Sequence, residues 1–342
     1  MQFIRPDINI DFTGKIKIAS LISLSLIVIS IGSLIVKKGP KYGVDFSGGT
    51  LIQILFDAKT KIQDIRSGLK AFGLDQSSIQ RFGDKDKNEF LIRTNKPIKA
   101  TKNFTSDLGK ELKTSTGANA TIQRMEMVGP QVGKDLRGKA LFAIFYSLLL
   151  IAIYISGRFE LKWILSGVMA AALLFAVYTL SLFNVSIPIL ITAALIITIL
   201  LFWFLNLKYA MGAIVALIHD VTITVGAFSV LDKEFTLPVI AAILTIIGYS
   251  LNDTIIVFDR IRENLKKHHK NPLKVNINKS INETLSRTIL TSGLTMIAVV
   301  ALFIFGGEII HDFAFAMIVG IVVGTYSSIY IASPILLAWQ RK

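Results

Sequence analysis

The sequence predicts a polytopic α-helical membrane protein of about eight spans, carrying one small α+β domain outside the membrane. Three observations predict it. Of the 342 residues, 52% are hydrophobic and the mean hydropathy is +0.60, too apolar for an ordinary soluble domain. Repeated runs reach the roughly 20 apolar residues that carry a helix across a bilayer. One polar segment, residues 39–138, interrupts them and is long enough to fold by itself.

Charge and cysteine usage narrow the class. A net charge of +14 in a soluble protein would suggest nucleic acid. Lys and Arg gathered at cytoplasmic membrane edges account for it here, so no nucleic-acid partner is expected. The chain has no cysteine, which excludes disulfides, thiolate metal sites and a Cys nucleophile.

The first apolar run, near Ile18–Val36, follows Arg5, Lys15 and Lys17. It is long for a signal sequence, and Lys37 and Lys38 stand where a small-residue cleavage site would be. Residues 1–38 therefore read as a tail and an uncleaved first helix. In the polar domain, Leu51–Phe56, Glu89–Thr94 and Ala120–Gly129 read as strands. Ile62–Gly73 has helical spacing, and Thr105–Thr114 is a second helix candidate. The bundle, 139–342, has spans near 140–157, 163–182, 187–206, 209–231, 236–258, 288–306 and 312–338.

With an even count, the basic residues of loop 259–287 and of the tail fall on the same side as the N-terminus. The opposite loops (181–186, 232–235 and 306–312) carry a single Lys between them. The positive-inside rule puts loop 259–287 in the cytoplasm and domain 39–138 outside it. Leu273, Ile277, Ile281 and Leu285 recur every four residues in that loop, as on a helix lying against membrane lipid. Arg158–Ala171 echoes Phe204–Leu217, including Leu-Lys-aromatic before a small-residue helix start.

Ionisable residues inside spans carry the functional signal, since each costs about 2.5–3.5 kcal/mol at helix centre. Asp220 lies mid-span, and Asp253 lies a turn or two inside its span's cytoplasmic end. Arg287 opens the next span, which runs antiparallel, so Asp253 and Arg287 lie at similar depth and can meet. Ser250, Asn252, Thr254, Thr291 and Ser292 are candidate polar partners along the seam. A carboxylate balanced between burial and a guanidinium suits proton exchange; a purely structural pair is the alternative. His219 adjoins Asp220, but a 100° step points it away, and no His–Asp pair is implied. Gly320 and Gly324 form a GxxxG packing motif.

Enzyme signatures are missing. No HExxH, GxSxG or Walker loop occurs, and Gly48–Thr50 lacks the Lys and spacing of a phosphate loop. The residues before Asp253 read GYSLN, not the GxGD of intramembrane aspartic proteases. No cofactor is expected.

Six stretches together resemble the SecF branch of the SecD/SecF protein-export family, within the RND superfamily. They are YGVDFSGGT (Tyr42–Thr50), VGPQVGKDLRGKA (Val128–Ala140), GAIVALIHDV (Gly212–Val221), GYSLNDTIIVFDRIREN (Gly248–Asn264), SRTILTSGLT (Ser286–Thr295) and IVGIVVGTYSSIYIASP (Ile318–Pro334). Asp45, Gly48, Gly49, Gly248, Asp259 and Arg260 stand in these motifs. The resemblance implies an RND-like fold of six spans and a location in the bacterial inner membrane. It implies pairing with SecD and work beside the SecY/SecE/SecG channel, with YidC or YajC as further partners and unfolded preprotein as the substrate. It implies that the proton gradient drives that work, with the membrane carboxylate falling on Asp253, its arginine on Arg287, polar path positions on Asn252 and Thr291, and Asp220 on an earlier helix. A non-catalytic scaffold and a small-molecule exporter of the superfamily are the alternative functions. The chain departs from the family pattern near 161–206, where two further spans fit between RFE (Arg158–Glu160) and the helix ending in HDV.

Overall fold

A computed structural model describes residues 8–82, 87–181 and 187–339. The polar domain is an antiparallel sheet of four strands in the order β2-β3-β1-β4. The strands are β1 (Gly49–Phe56), β2 (Ser78–Phe82), β3 (Glu89–Thr94) and β4 (Ala120–Val128), and a single helical turn, α2 (Val44–Ser47), precedes β1. Alternation in β1 turns Ile52, Ile54 and Phe56 to one face, where they bury against Ile65 and Leu69 of α3 (Ile62–Lys70) and Leu108 of α4 (Lys102–Thr116). Helix α4 is capped at one end by Thr101, whose side chain accepts from the Phe104 N–H, and at the other by left-handed Gly117. The expected strands and helices are present. β2 escaped the sequence reading because an edge strand with one buried residue, Ile79, shows no periodicity.

The bundle comprises α1 (Ile16–Val36), α5 (Pro130–Glu160), α6 (Trp163–Ser181), α7 (Ile187–Phe204), α8 (Lys208–Val230), α9 (Leu237–Lys267), α10 (Leu273–Phe305) and α11 (Gly307–Ser327). A π-helical turn, Ser328–Ala332, joins α11 to α12 (Ser333–Trp339). Among the described residues seven helical stretches are long and apolar enough to cross a membrane, and α7 is a shorter apolar helix beside them. The share of each apolar window buried in protein separates centre from rim: 61% for α8 and 56% for α9, against 17% for α1 and for α10. The polar domain and the α8–α9 connection lie at one end of the bundle, and the α9–α10 connection lies at the other.

At that far end the structure corrects the expected loop and surface helix. Helix α9 runs to Lys267 and α10 starts at Leu273, so only residues 268–272 connect them. Ile277, Ile281 and Leu285 are buried in the bundle core instead of facing lipid. The stripe is an extension of α10 packed on protein. Its outer edge grips the N-terminal strap, where Asn282 accepts from the Ile10 N–H at 2.8 Å and Asn278 from the Phe12 N–H at 2.9 Å.

Helices α6 and α7 form a hairpin against α5 and the flank of α8. The chain leaves after Glu160 and returns at Leu207, and the two ends touch: Glu160 Oε1 accepts from the Tyr209 N–H at 3.0 Å. Both junctions use a left-handed residue, Leu161 at φ 56° and Asn206 at φ 54°. Aligning Leu161-Lys162-Trp163 with Leu207-Lys208-Tyr209 places Leu173 and Leu174 where α8 has His219 and Asp220. The hairpin repeats the pattern without its ionisable residues.

Candidate functional site

Where α9, α10 and α11 meet, Asp253 is buried, at 1% exposure. Ser292 of α10 donates to its Oδ2 at 3.2 Å, and the Ser292 hydroxyl also lies 2.8 Å from Thr325 Oγ1 of α11. No contact ion pair joins Asp253 to Arg287 among the described residues. The reason is axial: Asp253 is level with Ser292, and Arg287 lies five residues earlier on α10, a rise of about 7.5 Å. Arg287 instead lines an open cleft of about 500 Å³ at the far end, with Asn252, Asp259, Arg260 and Glu283 among its walls. Asp259 is held there by Arg158 of α5 at 2.7 Å. Thr291 turns its hydroxyl to carbonyls of its own helix, Arg287 and Thr288. Gly248 is exposed and meets nothing that a Cβ would strike.

Asp220 is the more deeply enclosed carboxylate, with 0% exposure. It accepts from Ser250 of α9 at 2.6 Å and from Ser327 of α11 at 2.8 Å, and its Oδ1 lies 2.9 Å from His219 Nδ1. This overturns the expectation that His219 points away. A 100° step separates the Cβ directions, but both side chains are buried, and the carboxylate and the ring bend toward each other. Tyr326 lies over the His219 ring, 6.3 Å between centroids, and ties α11 to α1 through Ala19 and Ser23. The GxxxG pair lets α11 lie close against α9. A Cβ at Gly324 would stand 2.9 Å from Ser250 Cβ, and one at Gly320 2.3 Å from Ile246 Cδ1. Thr325, Tyr326 and Ser327 were not among the expected site residues; the polar run Thr325–Ser328 in otherwise apolar sequence was the available signal.

The other end of α9 is fastened to the polar domain. Asp45 accepts from the Leu237 N–H at 2.9 Å, at the first turn of α9, where a carboxylate meets unpaired N–H groups and the positive end of the helix dipole. Tyr42 and Phe235 form a parallel bridge. Arg93 of β3 pairs with Glu234 at 2.7 Å, the side chains 22% and 9% exposed. Lys41 and then Lys37 hold Asp232 below the usual carboxylate range. Gly48 and Gly49 follow Asp45 at φ 75° and 133°, and a Cβ on Gly49 would lie 2.1 Å from the Thr94 carbonyl oxygen. Only glycine fits there.

An apolar bundle with carboxylates buried at its centre, joined to a single α+β domain, defines a multi-pass membrane protein of the RND-like class. The sequence profile "Protein export membrane protein SecD/SecF, C-terminal" matches residues 108–199 and, overlapping them, 177–342. The "SecD/SecF GG Motif" profile matches residues 33–60. The chain belongs to the SecF family. It is 42% identical to the protein translocase subunit SecF of Calditerrivibrio nitroreducens, covering 97% of this chain and 95% of that one. It is 41% identical to the subunit of the same name from Desulfurispirillum indicum, covering 94% and 88%. A crystal structure of SecDF from Thermus thermophilus, titled a translocon-associated membrane protein, superposes with a TM-score of 0.76 at 31% identity. That match covers 99% of this chain and 40% of the longer SecDF chain. The overlap of the two profile matches falls on residues 177–199, which include most of α7 and fit the repeat noted in the hairpin.

Proposed function

We propose that this chain is an ion-gradient-coupled subunit of bacterial protein export, working with SecD at the SecY/SecE/SecG channel to draw preprotein across the inner membrane. Asp253 is the proton carrier. One observation supports this above the others: the carboxylate is buried with a single hydroxyl donor, while Arg287, with no side-chain hydrogen bond or ion pair among the described residues, starts about 7.5 Å further along the bundle and lines an open cleft. A group held this loosely can change charge, and the free guanidinium can move toward it when it does. In this reading the cleft is the cytoplasmic mouth, Asn252 and Thr291 lie beside the path, and the polar domain is outside the membrane. A shift of α9 then travels through Asp45, Glu234 and Phe235 to the domain. SecD is the first partner; YidC and YajC are further candidates.

The test is export into inside-out vesicles with H⁺ and Na⁺ gradients varied separately. Asp253→Asn is expected to abolish the gradient-stimulated part while SecD is still captured. Unchanged export at normal protein levels would sink the proposal. Loss of SecD capture would favour a scaffold instead.

A further inference from the structure

Thr325, Tyr326 and Ser327 are consecutive, so on α11 they point about 100° apart and reach three different neighbours. Thr325 lies 2.8 Å from Ser292, which donates to Asp253. Ser327 donates to Asp220. Tyr326 covers His219 and bonds α1. Helix α9 makes a second bridge between the carboxylates, because Ser250 bonds Asp220 and Asp253 lies one turn further on.

The Ser327 and Ser292 hydroxyls each have one proton and two places to put it. Ser327 Oγ is 2.8 Å from Asp220 Oδ2 and 3.1 Å from the Gly324 carbonyl oxygen. An ionised carboxylate only accepts, and it holds Ser327, Ser250 and the His219 Nδ1–H as donors. Once a proton sits on Oδ2, that oxygen becomes a donor, and the Ser327 proton is free to swing to Gly324. Ser292 has the same choice between Asp253 and Thr325. The His219 ring bonds through Nδ1 alone, since its Nε2 is buried and has no hydrogen-bond partner among the described residues. The groups facing this pocket are few. Helix α8 supplies His219, α11 supplies Tyr326 and the serine, α9 supplies Ser250 with Asp253 a turn away, and α1 supplies Ser23 and the Ala19 carbonyl. No Lys or Arg among the described residues is within ion-pair distance of Asp220. The π-helical turn directly after Ser327 gives α11 a deformable continuation.

We propose that His219 and Asp220 form a second proton-binding site, and that Ser327 and Thr325 of α11 couple its occupancy to that of Asp253. The proton comes from bulk water and sits on Asp220 Oδ2, while the His219 Nδ1–H donates to Oδ1; no other bond is made or broken. The coupling rests on reading Asp253 as the ion carrier, but the second site does not.

The experiment is infrared difference spectroscopy of the full chain in lipid nanodiscs, following the carbonyl stretch of protonated carboxyls during pH titration. Asp220→Asn is expected to remove one pH-dependent band and Asp253→Asn another. The midpoint of the Asp220 band is expected to move in Asp253→Asn, and that sensitivity is expected to be lost in a background carrying Ser327→Ala and Thr325→Val. These last two variants keep both carboxylates, so they remain informative if Asp220→Asn does not fold. A spectrum in which no band titrates with Asp220 over the pH range where the protein stays folded overturns the second site. An Asp220 midpoint indifferent to Asp253 overturns the coupling. Export that survives Asp253→Asn overturns the function proposed above, and the Asp220 band still decides this site by itself.

Discussion

The Arg93–Glu234 pair is the strongest side-chain link between the polar domain and the entrance to α9, and its removal has a calculable effect. Breaking a fully buried ion pair costs about 3–5 kcal/mol, because the partner is left charged and unpaired. Here the guanidinium side keeps 22% of its exposure, so water recovers part of that, and about 2–3 kcal/mol is expected for Arg93→Ala. At 1.4 kcal/mol per tenfold, the joint opens about 30- to 150-fold more often. Hydrogen exchange reads this directly. Backbone amides of β3 and of the first turn of α9 should exchange faster by that factor in Arg93→Ala and in Glu234→Ala, while amides in α8 keep their rates. The double Ala variant should be no worse than the worse single one, and the swapped pair, Arg93→Glu with Glu234→Arg, should recover much of the protection. If both single variants exchange like the parent, the pair holds nothing. The joint would then rest on Asp45, the Tyr42–Phe235 bridge and the exposed Lys41–Asp232 pair.

Other outcomes follow from contacts elsewhere. Gly324→Leu should prevent α9 and α11 from closing, because even a Cβ there lies 2.9 Å from Ser250 Cβ; a thermal midpoint and SecD capture equal to the parent's would contradict that packing. Deleting 161–206 should leave a folded bundle, since Glu160 still meets the start of α8 and lipid replaces the hairpin on α5 without an apolar penalty. Loss of the folded peak in size-exclusion chromatography would show that the hairpin is integral. Asp232 has its native pKa lowered by Lys41 and Lys37 from an ordinary value of 3.8. Its contribution is therefore present above the unfolded value and lost as pH falls through the lowered native one. The difference in thermal midpoint between parent and Asp232→Asn should be small near neutrality, given the exposure of the group, and vanish in acid. A difference that grows in acid would reverse the sign of the argument.

Much of this protein was legible in its sequence because the physics involved is local. Hydrophobic runs mark spans whatever they pack against, since a bilayer demands about 20 apolar residues and internally satisfied backbone. The domain strands showed through the alternation of Ile52, Ile54 and Phe56, and the cost of Asp220 and Asp253 was visible from their apolar surroundings alone. Tertiary structure decided what those carboxylates touch. Depth along antiparallel helices brought Asp253 to Ser292 instead of Arg287, a difference of five residues on α10 that span boundaries accurate only to a turn cannot resolve. Rotamers of two buried side chains joined His219 to Asp220 against the 100° rule. The stripe from Ile277 to Leu285 reads the same whether it faces lipid or protein, because both are apolar; only the packing of α10 on the bundle settled it. Asp45 looked like part of a glycine-rich motif, and the fold placed it at the head of the helix that carries Asp253, 192 positions away in the chain.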